Sequence, residues 1–131
     1  MTTRFFIISL SLAAIAGCAN QTSQQRLDLL ASNRASVISA ELPIEAGPLS
    51  IMQSTAKGST IEIMMVYNQD LSGAKPLEQV INNGINYYCS NKDTKANLET
   101  GLNYRLKMRN TRGQLIADQL VTDANCTSEL I

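Results

Sequence analysis

The sequence predicts an α+β domain: a small antiparallel sheet of four to five strands, covered by helices on one face and holding one disulfide. Three observations predict it. Leu102, Tyr104, Leu106 and Met108 alternate without a break with Asn103, Arg105, Lys107 and Arg109, which is a strand with one buried and one wet face. Two other stretches carry apolar residues at helical spacing. The order along the chain is helix, two strands, helix, two strands, so two hairpins share a sheet whose buried face needs both helical stripes.

The chain opens with Arg4 and then an apolar run from Phe5 to Ala16, interrupted only by Ser9 and Ser11. This run is shorter than the roughly 20 residues a bilayer core requires, so it reads as a secretory signal and not as a membrane helix. It ends in Ile15-Ala16-Gly17-Cys18, which looks like a lipobox, with small residues before the cut and a thiol after it to take the lipid. On this reading residues 1–17 are a lipoprotein signal peptide. Residues 18–24 are the lipidated N-terminus and a polar tether, and residues 25–131 are the domain. Similarity to bacterial lipoproteins implies three acyl chains on Cys18, enough for a stable anchor where one chain alone is marginal. Ala19 follows the cysteine where an Asp favours inner-membrane retention, so the expected address is the inner leaflet of the outer membrane, with the domain facing the periplasm.

Residues 25–40 read as a helix, with Thr22 or Ser23 available as cap and Leu27, Leu30, Ala31, Val37 and Ile38 as its apolar stripe, broken at Arg34. Pro43 ends it, and Gly47-Pro48 marks a loop. Residues 49–55 and 59–67 read as two strands joined at Lys57-Gly58. In the second, Ile61, Ile63, Met65 and Tyr67 share one face. Thr60, Glu62, Met64 and Val66 share the other, which is more apolar than a solvated face should be. Residues 68–75 form a loop, and Pro76 suits the start of a second helix. Leu77, Val80, Ile81, Ile85, Tyr88 and Cys89 give that helix its stripe, with Gly84 inside it. Residues 90–100 are a polar connection with a helical turn at 93–99. The strand at 102–109 turns at Asn110-Thr111-Arg112-Gly113 into a partner at 114–122. Cys126 lies just beyond it.

Composition excludes several functions. Lys and Arg number 11, as do Asp and Glu; without Arg4 the net charge is about −1, which gives no footing for nucleic acid. There is no histidine, the commonest general base and metal ligand. No phosphate loop or nucleophile elbow occurs. Glu41, Glu45, Glu62, Glu78 and Glu99 are scattered; a glycosidase-like dyad would need two of them about 5–10 Å apart in a cleft. Arg105, Lys107 and Arg109 form a basic row that suits an acidic partner, or is simply the wet face of a strand. With Cys18 given to lipid, Cys89 and Cys126 are an even pair in an oxidising compartment. They read as one disulfide, the alternative being two free buried thiols. No metal, cofactor or small-molecule substrate is expected, and no catalysis.

The strand Gly101-Leu102-Asn103-Tyr104, the turn Asn110-Thr111-Arg112-Gly113 and the two cysteines carry a resemblance. Leu42-Pro43-Ile44, the Gly58 hairpin and the Ile63-Met64-Met65 strand stand upstream of them. Behind a lipobox, and over roughly residues 35–128, this arrangement resembles the AspS-type (GspS-beta) pilotins of the type II secretion system. The resemblance implies an antiparallel α/β domain with a Cys89–Cys126 disulfide and no cofactor. It implies a partner, the C-terminal segment of a secretin subunit, which the lipoprotein escorts to the outer membrane for assembly. That segment is expected to be an amphipathic helix, so an apolar, adaptable groove is needed. Met52, Met64 and Val66 are the candidates, on the side of the sheet away from the core. The alternative function is another periplasmic lipoprotein binding module, an envelope-assembly factor or an inhibitor.

Overall fold

A computed structural model describes residues 22–127; the signal segment, Cys18 and residues 128–131 lie outside the described residues. Helix α1 (Ser23–Ala40) starts two residues earlier than the spacing predicts, because Thr22 caps it by accepting from the Gln25 N–H. Its contact face keeps the expected stripe except at Val37 and adds Ala35. Ala31 and Ala35 are buried and Leu27, Leu30 and Ile38 pack beside them, while Val37 is 59% exposed. Alanines at the contact let the helix backbone lie close to the sheet, and Ser39 Oγ donates to the Ser54 carbonyl at 2.8 Å.

A cis Leu42–Pro43 bond leads into β1 (Ile44–Ala46), a short edge strand that supplies the fifth member of the sheet. Gly47, at φ +59°, turns it into β2 (Leu49–Lys57). Gly58, also at φ +59°, joins β2 to β3 (Thr60–Tyr67). That conformation is one glycine adopts at no steric cost. The alternation in β3 works as read: Ile61, Ile63, Met65 and Tyr67 are all buried.

The expected wholly antiparallel sheet is in fact mixed. β3 runs parallel to β4 (Asn103–Arg109), with Ile61 opposite Tyr104 and Met65 opposite Met108. The other three pairings are antiparallel, and the strand order follows the chain from β1 to β5 (Leu115–Val121). A parallel pair needs a long crossover. Here that crossover is α2 (Leu77–Ser90) followed by α3 (Lys92–Thr100). The expected helical turn at 93–99 is a full helix because Asn91 caps it, accepting from the N–H groups of Asp93 and Thr94, and because Leu98 buries against the core. A short α4 (Asp123–Thr127) follows β5.

The core lies between the sheet and the helices on one face, with Ile61, Ile63, Leu98, Leu102, Tyr104 and Leu106 at its centre. Each such side chain contributes about 1.5–3 kcal/mol through burial. Gly101 stops α3 at φ +113°, and a Cβ there would stand 3.3 Å from Leu27 Cδ1 on α1. Gly101→Ala is therefore expected to destabilise the domain by about 1–3 kcal/mol. Urea unfolding measures this as a lower midpoint with an unchanged slope; an unchanged midpoint would show that the turn carries no strain.

Candidate functional site

The helical layer does not cover the whole inner face. Helix α1 lies over the hairpin end of the sheet: a Cβ on Gly58 would stand 3.8 Å from Asp28 Oδ1, and Leu27 faces Gly101. At the other end, Leu49, Ile51, Met65, Leu106 and Met108 form a floor that α2 roofs from one side only. Between floor and helix is an apolar groove of about 440 Å³, within the usual range for ligand sites. Val80, Asn83, Gly84, Tyr87 and Tyr88 of α2 make its wall, and Ala46, Pro48, Gly73 and Lys75 its rim.

Local chemistry fixes the wall. Gly84 faces Leu106 of β4: a Cβ there would be 3.4 Å from Leu106 Cδ1, a close van der Waals contact. The Tyr67 hydroxyl donates to the Lys75 carbonyl just before the helix begins. At the other end of α2, Cys89 bonds Cys126 of α4, with Cα atoms 5.2 Å apart. Tyr88 lies against Tyr104 with ring centroids 4.5 Å apart, and Tyr87 meets Tyr88 edge-on. Burial pushes the Tyr88 phenol well up, helped by its tyrosine neighbours. Burial also raises Tyr104, against a 2.7 Å hydrogen bond from Asn97 Nδ2 that favours its ionised form. Both rings are therefore neutral near pH 7; Tyr88 lines the groove as apolar wall and Tyr104 backs it from the core. Tyr87 is 56% exposed at the groove edge.

Among the described residues, no helix lies over the opposite face of the sheet. Met64 and Val66 stand there half-buried, Met64 paired with Gln53 and Lys107, Val66 with Ser50 and Arg109. Met52 sits at the bulge between Ile51 and Gln53 and is 49% exposed. The three are thus accessible, but polar neighbours flank two of them on a pleated surface. The basic row is largely neutralised within that face. Lys107 and Lys57 reach Glu62 at 3.1 and 3.3 Å, Arg105 grips Asp118 with two 2.7 Å hydrogen bonds, and Arg109 donates to the Gly113 carbonyl. Burial raises Glu62, but the two ammonium groups outweigh it and hold its carboxyl below the ordinary value. The hydrogen bonds from Arg105 hold Asp118 low as well. Glu41, Glu45, Glu78 and Glu99 are exposed. Among the described residues, no group of three acidic or cysteine side chains is placed to hold a metal ion.

Sequence reasoning missed the groove. It placed its candidates on the other face of the sheet and passed over Tyr87, which falls off the α2 stripe. Gly84 was the usable signal, since a glycine inside an amphipathic helix marks a close approach.

Comparison with known proteins bears on this domain directly. Residues 23–126 match the family model described as type II secretion system (T2SS) pilotin, S protein. The solved structure of the type II secretion system pilotin AspS from Vibrio cholerae is 59% identical, with a TM-score of 0.75, over 79% of this chain and 95% of that one. The type 2 secretion pilotin EpsS from Vibrio vulnificus is 47% identical, with a TM-score of 0.76, over 79% and 94%. A Pseudomonas aeruginosa protein described as secreted shares the fold at 15% identity and a TM-score of 0.69. No curated protein matches the chain.

Two stability predictions follow from the site. A carboxyl whose folded pKa is lowered stabilises the fold above its unfolded pKa and loses that contribution as pH falls through the folded value. Glu62→Gln should therefore be less stable than the parent near pH 7, with the gap closing below about pH 4; urea midpoints across pH measure it, and a gap constant with pH would exclude the effect. Replacing both Cys89 and Cys126 with Ser opens a loop with a 37-residue separation. The loss should be about 4 kcal/mol on the chain-entropy account, and a midpoint matching the oxidised parent would reject it.

Proposed function

Because the chain belongs to the family of type II secretion system pilotins, we propose that it is an outer-membrane lipoprotein that binds the C-terminal segment of a secretin subunit. On this reading it promotes the targeting of that subunit to the outer membrane and its assembly there. It has no catalytic role. The observation that carries the reading is the apolar groove between α2 and the sheet. A concave strip of this kind suits the apolar face of an amphipathic helix, which docks through residues one turn apart. Lipid on Cys18 supplies the membrane address. The domain supplies the grip, and the segment follows the lipoprotein along its sorting route.

The groove is preferred over Met52, Met64 and Val66 as the contact surface. The groove is concave and apolar, whereas two of those three residues alternate with polar and charged partners. Tyrosine is enriched among the residues that dominate binding energy once an interface covers them, and Tyr87 stands exposed in the groove lining, ready to be covered.

Calorimetric titration of residues 19–131 with the C-terminal peptide of the co-encoded secretin tests this. The solved relatives are domains of similar extent, with 95% and 94% of their length matched here. Saturable one-to-one binding with a negative heat-capacity change is expected. Tyr87→Ala should weaken it about tenfold or more, and Met64→Lys should leave it unchanged. Loss with Met64→Lys alone would move the contact to the face bearing Met52, Met64 and Val66. No binding at high micromolar peptide would leave a periplasmic lipoprotein module with some other partner.

A further inference from the structure

We infer that the groove selects its partner by charge as well as by shape, with Lys75 receiving a carboxylate of the bound segment. The inference rests on the proposed groove reading and deepens it, by naming a chemical feature the segment must carry.

Lys75 carries the one charge among the residues lining the groove, whose remainder is aliphatic, aromatic or uncharged. Its backbone is fixed. The Tyr67 hydroxyl holds its carbonyl, and Pro76 follows with a restricted φ. Its side chain is exposed. Four other cations are matched internally, Lys57 and Lys107 by Glu62, Lys95 by Glu99 and Arg105 by Asp118; of the cations left without a carboxylate among the described residues, Lys75 is the one at the groove. Lys75 has no carboxylate within ion-pair distance among the described residues. The acids nearest in sequence do not serve it. Asp70 lines a separate polar hollow beside Arg112, and Glu78 is exposed on α2 outside the groove lining.

An apolar cleft by itself accepts any amphipathic helix and fixes neither its direction nor its register. One cation at a fixed rim position does both. It favours a segment whose apolar stripe is flanked by an acidic side chain, or one that ends in its own carboxylate at that point. Lysine suits the task, since its ammonium is a compact charge on a long flexible stem that can find either. At a solvent-exposed rim the effect falls mainly on the association rate and its salt dependence.

The test uses residues 19–131 and the C-terminal peptide of the co-encoded secretin, with rates followed over a range of salt concentrations. Lys75→Glu should slow association about tenfold and flatten its salt dependence, while Lys75→Arg retains the parental rate. Urea midpoints unchanged by either substitution would show that folding is intact. Replacing each acidic side chain of the peptide by its amide, and separately amidating its C-terminus, should identify one carboxylate whose loss costs the parent the same factor. That loss should cost the Lys75→Glu protein nothing further. A Lys75→Glu protein that binds at the parental rate with parental salt dependence would overturn the inference. If Tyr87→Ala still weakens binding in that case, the groove reading stands and only the charge selection falls. If Tyr87→Ala is also silent, the groove reading itself fails and this inference goes with it.

Discussion

Parallel pairing of β3 with β4 governs the rest of the architecture. After Tyr67 the chain stands at one end of the sheet, and it must return to the other end before Asn103 can pair beside Thr60. No tight turn can do this. The return path is laid over one face as α2 and α3, and that face becomes the interior. Helix α1 comes to the same face from the opposite direction and covers the hairpin end. Three helices of these lengths do not tile the whole face. The strip left between them and the sheet, floored by Leu49, Ile51 and Met65, is the groove. The candidate site is thus a consequence of the connection and needs no separate element to build it.

A groove made this way is only as well defined as the helix that roofs it. Helix α2 is held along its length by three different interactions. Tyr67 holds the backbone at Lys75, Gly84 sits against Leu106, and the disulfide joins Cys89 to α4. The tyrosine stack of Tyr87, Tyr88 and Tyr104 fills the space between the last two. A wall fixed in advance reduces the ordering that binding would otherwise have to impose, which is the main route by which a small cleft gains affinity. The bond is also worth more here than in a larger protein, because a domain of this size has a limited core.

Much of this was legible in the sequence, and the illegible parts share a physical cause. Residues 60–67 and 102–109 were readable because strict alternation admits one conformation, and both hairpins because glycine stands at their turns. The cysteine pair was readable from its number and compartment. Pattern tells which side of an element is apolar, but it says nothing of what lies opposite. That is why the direction of β4 relative to β3 was misjudged, and why the opening above Leu49 and Ile51 was not foreseen. Helix α3 was underestimated because its composition is polar and its burial rests on Leu98 and Asn97 alone. In α1 the stripe was right at Leu27, Leu30, Ala31 and Ile38 and wrong at Val37, which is outside, while Ala35, too small to stand out in the pattern, is buried.

The placement of the groove relative to the tether has a functional consequence under the proposed reading. Helix α1 begins at the hairpin end of the sheet, since Asp28 stands by Gly58 and the helix then runs toward Ser54. A lipid on Cys18 would therefore hold that end to the membrane. The groove floor includes Met65 and Tyr67, at the far end of β3. With a strand rise of about 3.3 Å per residue, Tyr67 lies about 23 Å from Thr60. On that reading the cleft lies at the end of the domain away from the anchored end of α1. Such a placement would let a partner segment be captured before its own subunit touches the membrane. A carrier that picks up its cargo on the way to the membrane needs that order of events, whereas a groove beside the anchor would require the cargo to be at the membrane already.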